Sequence, residues 1–61
     1  SPNNYLVNQR IKKSCELLET TSQSISQIAF ATGFNDPAYF ARIFKKRLSM
    51  TPSNYRLGKM S

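Results

Sequence analysis

The side chains able to do chemistry in this sequence are nearly all cationic. Nine Lys and Arg stand against three carboxylates, Glu16, Glu19 and Asp36, which gives a formal charge of +6 and a pI near 10.0. There is no histidine, a single cysteine (Cys15) and no glycine-rich phosphate loop. General acid/base, nucleophilic and phosphoryl-transfer constellations therefore lack their parts, and no enzymatic activity, cofactor or metal is expected. One cysteine permits neither an internal disulfide nor a cysteine-based zinc site, which suits a reducing, intracellular setting. The charge imbalance favours a polyanionic partner, with nucleic acid ahead of anionic lipid or an acidic protein.

The cations that matter most fall between residues 36 and 48. Placed on a helix, Phe40, Ile43, Phe44 and Leu48 take the inner face with Arg47 flanking them, while Ala38, Tyr39, Arg42, Lys45 and Lys46 take the outer face. A helix of this kind fits the major groove of double-stranded DNA, where side chains near its leading end reach base edges. Arg42 is the best candidate, because its planar fork can donate two hydrogen bonds to guanine O6 and N7. Tyr39 could bond a base or phosphate or press on a thymine methyl, and Ala38 is small enough to let the helix approach. Lys45 and Lys46, a turn further on, suit phosphates. A solvated face can also be Lys-rich; the net charge and the short helix before this one favour the DNA reading.

The elements that must position these residues are punctuated by caps and prolines. A first helix over 2–19 would start with Ser1 as N-cap and Pro2 at its first position. Leu6, Val7, Ile11, Ser14, Cys15, Leu17 and Leu18 share one wide face, with more to bury than two short helices can cover. Arg10 falls inside that face and needs a carboxylate, backbone carbonyls or a route to solvent along its own stem. Ser24 and Gln27 form a capping box that opens a second helix over 25–32, with Ile25, Ile28, Ala29 and Thr32 inward. The same start offers a phosphate site through Ser24 and Ser26, although Ser24 is already explained as a cap. Phe30 points away from the apolar side, either as a partner contact or, as we expect, partly covered by neighbouring loops.

Gly33 can take the left-handed conformation that stops a helix, and Asn35-Asp36-Pro37 opens the next one. A short helix, a tight glycine turn and a second helix make a helix-turn-helix over 24–48. Thr51-Pro52 opens a last short helix over 52–57, and 58–61 reads as a frayed end. The fold class expected is all-α, a small bundle of about four helices. At 61 residues the chain can bury only a thin core. No run of about 18 apolar residues is present to span a bilayer, and the N-terminus lacks a signal-peptide pattern.

These residues together resemble the AraC/XylS transcription regulators. The resemblance is carried by Pro2-x-x-Tyr5-Leu6-x-x-x-Arg10-Ile11, Leu17-Leu18 and Ser24-Ile25-x-x-Ile28-Ala29-x-x-x-Gly33-Phe34. It tightens over Asn35-Asp36-Pro37-Ala38-Tyr39-Phe40-Ala41-Arg42-Ile43-Phe44-Lys45-Lys46 and Thr51-Pro52-Ser53-Asn54-Tyr55-Arg56. It implies a homeodomain-like domain of a bacterial transcription factor with two helix-turn-helix units joined by a long helix. Residues 1–61 would then be a partial domain, the connecting helix plus the second unit. By position, base contacts fall on Ala38, Tyr39 and Arg42, with Lys45 and Lys46 near the backbone. The family also implies a cytoplasmic, nucleoid-associated protein that can meet RNA polymerase, with the present stretch monomeric. Two departures stand out. Ser49 occupies the position where the family usually has a helix-ending glycine, so the left-handed cap there is either strained or replaced. Ser14 replaces a small apolar residue and adds a hydroxyl that could bond back to the carbonyl of Arg10.

Two other readings compete. A helical protein–protein interaction module would use Phe30 and the wide face of the first helix, and its complexes would be insensitive to salt. A cationic membrane-surface helix suits poorly, because the prolines and glycines cut the chain into short capped helices.

Overall fold

Three of the helices begin where a side chain satisfies backbone N–H groups that have no partner inside the helix. The computed structural model describes the backbone of residues 2–60 and the side chains of residues 4–58. Within them are four helices and no strand: α1 (Pro2–Thr20), α2 (Ile25–Ala31), α3 (Pro37–Leu48) and α4 (Pro52–Met60). The expected cap at Ser1 lies outside the described residues. At α2, the Ser24 hydroxyl oxygen accepts from the Gln27 N–H at 3.1 Å while the Gln27 side chain accepts from the Ser24 N–H at 2.9 Å. At α3, the Asp36 carboxylate accepts from the Ala38 N–H at 2.9 Å, and Pro37 takes the first helical position. At α4, Thr51 Oγ1 accepts from the Asn54 N–H at 3.2 Å.

The helix ends are equally specific. Gly33 has φ of +98°, its N–H bonds the Phe30 carbonyl at 3.2 Å, and the Phe34 N–H bonds the Ala29 carbonyl at 2.9 Å. That pair of bonds is a Schellman motif, and its apolar contact is made by buried Ala29 and Phe34. Of the two endings open to α3, the chain takes the left-handed one: Ser49 sits at φ 63° with its N–H on the Lys45 carbonyl at 2.8 Å. Helix α4 continues through Gly58 to Met60, three residues past the expected end. No Cβ-sized obstacle surrounds Gly58, and nothing there requires a left-handed turn.

The core lies where all four helices meet. Ile11 and Leu18 of α1, Ile28 and Ala29 of α2, Phe34 of the turn, and Phe40 and Phe44 of α3 are buried, with Val7, Cys15, Leu17, Ile25, Ile43, Leu48 and Tyr55 packed around them. The aromatic rings run as a row: Phe34 to Phe40 at 5.1 Å, Phe40 to Phe44 at 5.7 Å, and Phe44 to Tyr55 at 5.6 Å. Tilted and edge-on contacts of this kind add to the area they bury. Buried Thr32 and Ser14 are both satisfied locally, Thr32 on the Ile28 carbonyl at 2.8 Å. Ser14 bonds the carbonyl of Ile11 at 2.6 Å, not that of Arg10. The hydroxyl is fully buried, and the i−3 carbonyl beside the buried Ile11 side chain is the acceptor its rotamer reaches.

Helix α4 fastens α1. The Arg56 guanidinium donates to the carbonyls of Leu18 at 3.3 Å and Thr21 at 3.2 Å, capping the end of α1. The Tyr55 hydroxyl donates to the Glu19 carboxylate. That bond, followed by burial, holds the Tyr55 hydroxyl well above the ordinary phenol range. Arg10 is half-buried and crosses to the turn, so close that a Cβ on Gly33 would stand 2.9 Å from its Nε. It has no carboxylate in ion-pair reach among the described residues, so it acts through its stem. Several large apolar side chains stay outside, Leu6 and Phe30 among them. Leu6 is 49% exposed and Phe30 58%, so the neighbouring loops do not cover Phe30 as expected. Phe30 lies on the side of α2 opposite Ile25 and Ile28, and α2 has only seven residues with which to turn it inward.

Candidate nucleic-acid interface

Helix α3 has one face committed to the core and the other open. Phe40 and Phe44 are fully buried, whereas Ala38, Tyr39, Arg42, Lys45 and Lys46 are all exposed. At about 100° per residue, Ala38, Arg42 and Lys45 form the middle of the open face, and Tyr39 and Lys46 lie on its flank toward α1. The helix carries Arg42, Lys45, Lys46 and Arg47 and no acid. Three of these cations sit in its last turn, where they also complement the negative end of the helix dipole. The open face is therefore both cationic and stably helical.

Tyr39 is half tethered. Its ring lies 6.1 Å from that of Phe34 at 54°, yet it remains 43% exposed, so one edge is braced on the core and the rest faces outward. Arg42 is exposed and has no carboxylate within ion-pair distance among the described residues, which leaves its donors for an external acceptor. Ser24 and Ser26 are exposed at the start of α2. The Ser24 oxygen already accepts from Gln27, while its own O–H is still able to donate.

Arg47 departs from the simple flanking position. It donates to Asn8 Oδ1, and to Asn4 Oδ1 at 3.5 Å, spanning from α3 to α1. Between these helices is a cleft of about 470 Å³ lined by Asn4, Val7, Tyr39, Ile43, Lys46 and Arg47. The spacing of Asn4 and Asn8, one helical turn apart, was the available sequence signal for a shared donor. Nothing in the sequence pointed to Arg47 as that donor. Among the described residues no group of side chains could hold a metal ion, and no helix is long and apolar enough to cross a membrane.

The sequence profile of a family described as "Helix-turn-helix domain" matches residues 1–58. Among curated relatives, the MmsAB operon regulatory protein of Pseudomonas aeruginosa is 34% identical over 56 residues, covering 92% of this chain and 18% of that protein. The HTH-type transcriptional activator RhaR of Mannheimia succiniciproducens is 40% identical over 52 residues, 85% of this chain and 19% of that protein. Histidine kinase P4 of Formosa agariphila is 41% identical over 56 residues, 92% of this chain and 4% of that protein. The chain thus spans less than a fifth of the length of each of these three relatives. No solved structure matches it. An all-helical bundle with a glycine-turned pair of helices and a cationic outer face on the second agrees with this match, and the chain belongs to the AraC-type helix-turn-helix family of DNA-binding transcription regulators.

Proposed function

We propose that α3 enters the major groove of double-stranded DNA and reads sequence there, with Ala38, Tyr39 and Arg42 toward base edges and Lys45 and Lys46 toward phosphates. One observation carries this reading: α3 buries Phe40 and Phe44 while every residue of its cationic outer face stays exposed. Arg42, mid-face and with no carboxylate partner among the described residues, is the bidentate donor to guanine. Ala38, near the leading end, sets how closely the helix approaches, and Tyr39 adds an edge braced by Phe34. The hydroxyls of Ser24 and Ser26 donate to a phosphate beside the start of α2. Regulation of transcription by the intact protein belongs to the same proposal.

The test compares two substitutions in the intact protein on a selected duplex and on a random one. Arg42→Ala lowers affinity for the selected site by roughly 5- to 150-fold, from about 1–3 kcal/mol of discrimination, and flattens preference at one base pair. Lys45→Ala weakens both duplexes alike and lowers the slope of log affinity against log salt by about 0.9. Equal losses on both duplexes with Arg42→Ala would remove the base-reading role.

A further inference from the structure

We infer that the cleft between the start of α1 and the flank of α3 is a phosphodiester site, in which Arg47 and Lys46 grip one strand of the DNA backbone. This rests on the reading of α3 as the groove helix and extends it to a residue that reading leaves out. The cleft is continuous with the open face: going around α3, Lys46, Tyr39, Ile43 and Arg47 follow one another in steps of about 20–40°, from the reading side to α1. Val7 and Ile43 give it an apolar floor, and Asn4, Tyr39, Lys46 and Arg47 a polar rim. That division suits a deoxyribose against the floor and a phosphate at the rim.

Charge decides the class of ligand. Among the described residues, two cations line the cleft and no carboxylate does. The chain has only three acidic side chains, each engaged elsewhere: Glu16 pairs with Lys13 at 3.3 Å, Glu19 accepts from Tyr55, and Asp36 caps α3. Arg47 is also held in place. Asn8 and Asn4 accept one N–H from each terminal nitrogen, and a guanidinium has five N–H donors, so three remain for an anion. A guanidinium fixed from behind loses little freedom on binding a phosphate, and its fork fits two phosphate oxygens.

The experiment is a salt titration of the intact protein on a random-sequence duplex and on its selected site, with helical content checked by circular dichroism. Arg47→Gln lowers the log–log salt slope by about 0.9, and with Lys46→Gln added by about 1.8, equally on both duplexes. The advantage of wild type over Arg47→Gln then shrinks about 3.5-fold when salt rises fourfold. Arg47→Lys restores the slope, and Asn8→Ala, which loosens Arg47 without removing its charge, leaves it at the wild-type value. An unchanged slope in Arg47→Gln overturns the proposal, as does a loss in Asn8→Ala equal to that in Arg47→Gln, which would make the position structural. Absence of salt-dependent duplex binding by the wild type would instead overturn the groove reading of α3.

Discussion

Replacing Gly33 with alanine tests whether the turn between α2 and α3 is built as described, and it does so in two separable parts. Gly33 has φ of +98°, a backbone conformation costing an ordinary L-residue about 1–2 kcal/mol. Alanine recovers about 0.4–1 kcal/mol of this by restricting the unfolded chain, leaving roughly 1 kcal/mol from the backbone. The second part is steric. The new Cβ would stand 2.9 Å from Arg10 Nε and 3.4 Å from its Cζ, so the half-buried stem of Arg10 must move. Overpacking costs about 1–3 kcal/mol, and a flexible side chain with one side in solvent belongs at about 1. The total, about 2 kcal/mol, is a large part of the roughly 3–9 kcal/mol expected of a chain this size. It should lower the melting temperature by roughly 10 °C. Urea unfolding followed by far-UV circular dichroism measures it in four proteins: wild type, Gly33→Ala, Arg10→Ala and the double variant. With Arg10 removed, Gly33→Ala should cost only the backbone part, a coupling of about 1 kcal/mol. Equal costs in both backgrounds would refute the contact between Arg10 and the turn, and a neutral Gly33→Ala would refute the left-handed backbone itself.

The same physics runs in the opposite direction at Ser49, whose φ of 63° ends α3. Ser49→Gly should relieve strain beyond the flexibility it adds to the unfolded chain, stabilising the fold by about 0.5–1 kcal/mol in the same urea assay; destabilisation would contradict that geometry. Tyr55 predicts a pH dependence. Its folded-state pKa is raised above the ordinary 10.0, chiefly by donation to Glu19, so this stabilisation is complete below pH 10 and is lost as pH rises above it, where the unfolded chain ionises first. Urea midpoints from neutral pH upward should fall beyond pH 10 in the wild type and fall less in Tyr55→Phe; parallel curves would count against the bond.

Much of the scaffold was legible because its signals are local. Ser24 with Gln27, Gly33, Asp36 with Pro37, and Thr51 with Pro52 each act within four residues, and the apolar spacing of α2 and α3 turns the same side chains inward that the structure buries. The outer face of α3 followed from that spacing by subtraction. What could not be read depends on contacts far apart along the chain. Arg56 on the carbonyls of Leu18 and Thr21, Tyr55 on Glu19, and Arg47 on Asn4 and Asn8 join residues 35 to 43 positions apart, and periodicity carries no information about such pairs. The end of α4 escaped for a different reason. Gly58 ends a helix only when the chain must turn there, and α4 runs through it. Phe30 was misplaced because cover by a loop is a tertiary event that a seven-residue helix cannot announce.

The aromatic row from Phe34 through Phe40 and Phe44 to Tyr55 has a consequence for how such a domain would meet a duplex. Because the row stiffens α3 from its first turn to its third and fastens it through Tyr55 to the end of α1, the helix has little shape left to adjust. A stiff reader spends little conformational entropy at the moment of contact, so its fit is decided before the encounter. On the proposed reading of α3, bending or groove widening would fall on the DNA, and sequences that deform easily would be favoured even at base pairs that no side chain touches.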